Sequence, residues 1–285
     1  MRPSRGSHAA GWMKRRGLSR RGLLIALGCA AVLVVIVIVV SGRSRDDSRW
    51  ERDGANVKAI IDGWMTFAAS NDGRFPTPGD VLGQTGEQLM HRPQPDAASP
   101  LNTTASMYAL TIAQRFAPPT VLLSPVERNP AVTLYDPAAG DVAKAYQPAA
   151  GRYWDWNFVA DLETGSNVSY AHMPIAGRRM TKWRLDRDPN WVLVGGRGPK
   201  DGAPDAASLT MRPDGSFQAH IAFGDGRVEM IESCVWKSPF LDAVGSFIPD
   251  NLYRDEPPNA SFGGLDRLLT FTRSIVNLEP VVQWD

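Results

Sequence analysis

Residues Gly22 to Val40 read Gly-Leu-Leu-Ile-Ala-Leu-Gly-Cys-Ala-Ala-Val-Leu-Val-Val-Ile-Val-Ile-Val-Val, with no charged side chain among them. A helix of this length, rising about 1.5 Å per residue, reaches across a hydrocarbon core of about 30 Å. In lipid the closed backbone hydrogen bonding of a helix decides the structure, so the high Val and Ile content is no obstacle. No polar face interrupts the run, which argues against a helix half buried in a soluble core. The stretch therefore predicts a transmembrane helix over 23–41, and the remaining chain has to be arranged around it.

Charge sets the direction. Arg2, Arg5, Lys14, Arg15, Arg16, Arg20 and Arg21 form a basic leader over 1–22 that holds no acid. Positive charge stays on the cytoplasmic side of an apolar span. The N-terminus is thus expected inside and residues 42–285 outside, in a single-pass protein of the inner membrane in contact with its lipid. Arg43 and Arg45 are answered at once by Asp46 and Asp47. The formal net charge of +1 hides this asymmetry, because 24 of the 31 basic residues and all 30 acids lie beyond the leader, leaving about −6 there. An acidic exported part is no nucleic-acid surface. Cys29 lies in the apolar stretch and Cys234 near the other end of the chain. They fall in different phases, so neither an intramolecular disulfide nor a cysteine metal cluster is expected. Stability outside has to come from an apolar core, for which 43% hydrophobic residues suffice.

Other export patterns fit less well. Ser19-Arg20-Arg21-Gly22-Leu23-Leu24 resembles a twin-arginine signal. The apolar run is long for one, and no small-x-small cleavage site follows it. Ala26-Leu27-Gly28-Cys29 resembles a lipoprotein box, but it stands near the start of the apolar run instead of its end.

Beyond the stretch, Val57, Ile60, Ile61, Trp64 and Ala68 recur at helical spacing, with Asp46, Asp47 and Glu51 in the early turns where the helix dipole favours acids. An amphipathic helix over 42–72 follows, ending in the turn residues Ser70-Asn71-Asp72-Gly73. Pro76 and Pro78 turn the chain away. Thr104 to Phe116 reads as a helix with Thr103 or Thr104 as its N-cap. Strand-like pieces follow at Asn167–Met173, Trp191–Val194, Phe217–Phe223 and Arg227–Ile231. The last two are joined by Gly224-Asp225-Gly226, a strong hairpin signal. Alternation places Phe217, Ala219, Ile221 and Phe223 inward with Val228, leaving Gln218, His220, Arg227 and Glu229 outward. Leu265–Val276 reads as a final helix. The fold class is α+β: a long N-terminal transmembrane and amphipathic helix packed on an antiparallel β-sheet domain over 73–285.

Several phrases together resemble a known family. Basic residues, Gly22 and an uninterrupted apolar helix resemble the leader of type IV prepilins. Asp72-Gly73-Arg74-Phe75-Pro76, Ser169-Tyr170-Ala171-His172 and His220-Ile221-Ala222-Phe223-Gly224-Asp225-Gly226-Arg227-Val228 resemble, in order, phrases of the pilin-like, pseudopilin-related membrane proteins of planctomycete-type bacteria. The resemblance implies a pilin-like fold and cleavage between Gly22 and Leu23 by a prepilin peptidase. It also implies assembly with other pilin-like subunits of a type II secretion or type IV pilus-like system. The family's glutamate five residues after the cut is Leu27 here, and its usual phenylalanine is Leu23. That glutamate sets subunit register in the family's filaments. The motif residues of the last phrase are His220, Phe223, Asp225, Gly226 and Val228.

Little in the chain points to catalysis. His172 and His220 sit at strand ends and could meet across a sheet, where Asp188 or Asp225 would complete an acid–base or metal site. Backbone-bonded strand histidines are the simpler reading. Asp225 reads as a turn residue, since calcium needs six or more oxygens. Gly195-Gly196-Arg197-Gly198-Pro199-Lys200 lacks the helix a phosphate loop requires. No catalytic residue, cofactor or metal ligand is assigned. Trp154, Trp156, Trp183 and Trp191 read as core filling, with a glycan- or peptide-binding platform as the alternative and an anchored hydrolase as the third reading.

Overall fold

The computed structural model describes residues 20–81, 99–136, 157–185, 190–203, 205, 207–212, 214–241, 244, 246–255 and 266–285. The chain divides into two compact units, Met1–Asp47 and Ser48–Asp285. In the first, the described backbone is helical from Arg20, the start of α1 (Arg20–Ala69), and Val32 to Val35 are exposed. Among the described residues no helix is long and apolar enough to cross a membrane. The fold class expected from sequence, a pilin-like transmembrane helix on an antiparallel sheet, is corrected accordingly to α+β built mainly from small sheets.

In the second unit α1 is amphipathic. Val57, Ile60, Ile61, Trp64 and Ala68 are fully buried on one stripe. The helix ends where Gly73 N–H donates to Ala68 O at 2.9 Å, with Asp72 and Gly73 in the left-handed region at φ 53° and 76°. Phe75 then packs edge-on against Trp183, whose Nε1 donates to Pro76 O at 3.0 Å. Among the described residues two short helices follow, α2 (Pro78–Val81) and α3 (Thr104–Ala113). Thr103 caps α3 by accepting from Ser106 N–H at 3.2 Å. The helix stops three residues before Phe116, where Arg115 turns left-handed at φ 58° ahead of Pro118 and Pro119.

The main sheet has the antiparallel order β3 (Tyr170–His172), β4 (Val192–Gly196), β5 (Ala219–Phe223), β6 (Val228–Ile231). Among the described residues three two-stranded sheets accompany it: β1 (Ala160–Asp161) with β2 (Gly165–Ser166), β7 (Val235–Leu241) with β8 (Phe247–Asn251), and β9 (Phe271–Val276) with β10 (Glu279–Gln283). Every residue of β5 is buried. His220 on one face meets Asp53 of α1, and Phe223 on the other meets Trp236 of β7 at a ring distance of 5.6 Å.

That double burial overturns the outward placement of Gln218 and His220, both of which are buried. The register overturns a second expectation. Ala222 pairs with Val228 and His220 with Met230, so Val228 lies on the His220 face, opposite Phe223. Phe223 shares its face with Arg227, whose guanidinium covers the ring at 4.1 Å, because three residues form the loop between them. The final segment is strand β9 where a helix was expected. Thr270, Thr272, Ile275 and Val276 are β-branched, and the two-residue turn Asn277-Leu278 returns the chain into β10. The start of the expected helix, at Leu265, lies outside the described residues.

Candidate functional site

An acid on the apolar stripe of α1 organises the buried polar side chains. Asp53 follows Trp50 by three residues and precedes Val57 by four, so it points with them into the domain and is 2% exposed. Its Oδ1 accepts from Tyr170 Oη at 2.9 Å, and its Oδ2 from His220 Nδ1 at 2.8 Å. Ser124 Oγ also donates to Oδ1. A carboxylate only accepts, so Nδ1 of His220 carries the proton. Burial pushes the Tyr170 phenol well above its ordinary value, and the adjacent Asp53 charge adds to the rise. Tyr170 thus remains a donor.

The network continues. Ser124 N–H donates to Ser169 Oγ at 3.0 Å, and Ser169 Oγ to Glu127 Oε2 at 2.6 Å. Glu127 receives Arg197 in a bidentate pair, with Nη2 to Oε1 at 2.7 Å, and Arg197 Nε reaches Asp285 Oδ1 at 2.7 Å. Burial alone would raise the Glu127 pKa, but the Arg197 guanidinium outweighs it and holds the carboxyl below its usual value. Burial disfavours the Arg197 charge, yet Glu127 and Asp285 together raise its pKa. Two carboxylates around one guanidinium satisfy a charge that is 2% exposed.

The arrangement clamps elements together. Ser124 Oγ donates to Asp53, not to a histidine nitrogen as a nucleophile–base pair would require. The His220 ring closely approaches Gly54, where a Cβ would stand 2.8 Å from Cδ2 and 2.9 Å from Nε2. His172 is remote from this cluster in bonding. Its Nε2 meets Thr104 Oγ1 at 3.0 Å and its Nδ1 meets Met173 O at 2.7 Å. Burial pushes its pKa down to about 4. Among the described residues no three His, Cys, Asp or Glu side chains are grouped to hold a metal ion.

The other candidate positions are placed as follows. Asp225 accepts from Arg227 N–H at 3.0 Å and so braces its own turn. Gly226 adopts φ 84°, and a Cβ there would overlap the Met65 sulfur. Phe223 is fully buried and Val228 partly so. Gly22 and Leu23 fall in the helical backbone of α1, with side chains outside the description. Asp188 lies outside the described residues, as do Trp154 and Trp156. Trp183 and Trp191 are buried, the latter donating to Met173 Sδ at 3.0 Å. Asp53 and Glu127 were not singled out from sequence, Ser124 was set aside because it sits in no nucleophile elbow, and Arg197 entered only within the Gly195–Lys200 run set aside as a phosphate loop. Only Asp53 carried a signal, as an acid within an apolar stripe.

The fold is α+β, and its most elaborate buried site is the Asp53–Arg197 network. No protein-family model, curated protein or solved structure matches this chain.

Proposed function

We propose that this chain is a non-enzymatic envelope protein, a structural or accessory subunit of a pilus-like or type II secretion assembly. Its partners would be other pilin-like subunits, and a prepilin peptidase if Gly22 is the processing site. One observation carries the reading. The three phrases of the domain that resemble the pilin-like family converge on α1. Tyr170 and His220, from two of them, both donate to Asp53, while Phe75, from the third, packs where the chain leaves the helix. The shared phrases therefore encode the attachment of one helix to one sheet, which is the element a subunit of such an assembly presents to its neighbours. The basic leader and uncharged stretch before Val40 support an envelope location with the domain outside the cytoplasm.

Cross-linking of the full chain in cells of its native host, followed by fractionation and mass spectrometry, tests the proposal. Cross-links to pilin-like subunits in the envelope fraction are expected. Recovery of the chain solely in the cytosolic fraction, without such cross-links, would overturn it.

A further inference from the structure

Residues 279–285 rest in a seat that distant parts of the chain build. Asp285 is fixed most deeply. Its side chain is 4% exposed, its Oδ1 accepts from Arg197 Nε at 2.7 Å, and its Oδ2 accepts from Leu209 N–H at 2.7 Å. Its own N–H donates to Gly198 O at 3.1 Å. Trp284 packs against the main core. Gln283 Oε1 accepts from Leu162 N–H at 3.4 Å, and its Nε2 donates to Asp161 Oδ1 at 3.1 Å. The Gln283 carbonyl accepts from Thr270 Oγ1 at 2.9 Å. Among the described residues β9 is the one strand that pairs with β10.

The covalent connection is poorer than the seat. Asn277 and Leu278 alone join β9 to β10, and both are left-handed, at φ 53° and 71°. Asparagine tolerates this conformation, but a leucine is strained by it. Straightening the connection would relieve that strain, and the segment would then point away from its own seat. A complete seat and a short strained hinge together favour exchange of an element between copies. Every contact of the element is remade in the partner, so the hinge alone changes. The hinge also carries apolar surface, since Val276 and Leu278 are both exposed. In an exchanged pair the two straightened hinges cross, which brings these side chains of both copies together and out of water.

We propose that residues 279–285 exchange between two copies of this chain, with Asn277-Leu278 as the hinge, so that the partner's Asp285 completes the Arg197 site. The exchange needs a second copy of this chain and nothing else, so it stands apart from the envelope assembly proposed above.

Disulfide trapping in the full chain tests it. Ser274 and Val281 are register partners across β9 and β10. Ser274→Cys and Val281→Cys are placed in separate copies with different affinity tags, each also carrying Cys29→Ser and Cys234→Ser. The two are co-expressed, so that exchange can occur during folding, then solubilised in mild detergent and oxidised. In closed chains each new cysteine faces an unaltered residue of its own copy, whereas in an exchanged pair the two cysteines stand opposite each other. A heterodimer linked between 274 and 281, identified by peptide mass spectrometry, is expected. Leu278→Gly in both copies relieves the closed turn and should lower its yield about tenfold or more. Absence of the 274–281 link would overturn the proposal. So would 274–274 and 281–281 links in equal amounts, as chance surface contact gives, or a yield that Leu278→Gly leaves unchanged.

Discussion

Asp53 is where removal of a single side chain should reveal most. Three donors, on Ser124, Tyr170 and His220, converge on its two oxygens, and all three residues are buried. Asp53→Ala leaves them without an acceptor in a dry site, and breaking a buried ionic cluster from one side costs about 3–5 kcal/mol. Asp53→Asn keeps an acceptor for Ser124 and Tyr170 and should cost clearly less. Urea unfolding of both variants measures the difference, and equal losses would show that the charge, not the acceptor geometry, is what matters. His172 gives the complementary test in acid. It is fully buried with a pKa of about 4 in the folded state. The unfolded chain takes up the proton near pH 6.5, so stability is lost as pH falls from about 6.5 toward 4, by about 3 kcal/mol in all. Replacing His172 with Asn should remove that acid-side slope, read as the denaturation midpoint against pH.

At the scale of elements, the sequence was most informative where local geometry leaves few choices. Gly224-Asp225-Gly226 has the composition a hairpin loop needs, and Gly226 does adopt a left-handed φ of 84°. The apolar stripe of α1 is visible because helical spacing puts Val57, Ile60, Ile61 and Trp64 on one side. What could not be read was set by neighbours. His220 is polar and looked outward, yet it is buried because Asp53 lies 167 residues away in sequence and 2.8 Å away in space. Arg197 stood in a glycine-rich run that matched no phosphate loop, but Glu127 and Asp285 hold it in the interior. The helix expected through Val276 fails for a local reason that was present in the residues. Thr270, Thr272, Ile275 and Val276 are β-branched and favour strand, and their spacing fits a helix only by accident. The turn that closes β9 onto β10 uses Asn277 and Leu278 at φ 53° and 71°. A leucine held left-handed carries about 1–2 kcal/mol of strain. Leu278→Gly creates the Asn-Gly pair that such turns prefer and should raise the melting temperature. A lowered value would mean that the Leu278 side chain, although exposed, contributes more by packing than its backbone costs.

At the scale of the whole chain, the question is how much of α1 the domain needs. Every member of the main core cluster lies at or beyond Val57, and the smaller cluster of Trp50, Val126 and Leu209 also lies beyond residue 48. The compact unit Ser48–Asp285 therefore contains both clusters together with the Asp53 and Arg197 network. A fragment spanning 48–285 should be soluble and should unfold in one cooperative transition. Starting at residue 73 instead removes the fully buried Val57, Ile60, Ile61 and Trp64. Burial of four such side chains is worth at least about 6 kcal/mol, against about 5–15 kcal/mol for a whole domain. It also strips Tyr170 and His220 of their acceptor and uncovers one face of β5, a strand buried throughout. The shorter fragment should show no cooperative transition by circular dichroism and should aggregate through that exposed face. Were 73–285 to melt cooperatively near the temperature of 48–285, α1 would be an appendage to a self-sufficient sheet domain, and its clamp at Asp53 would lose its structural purpose.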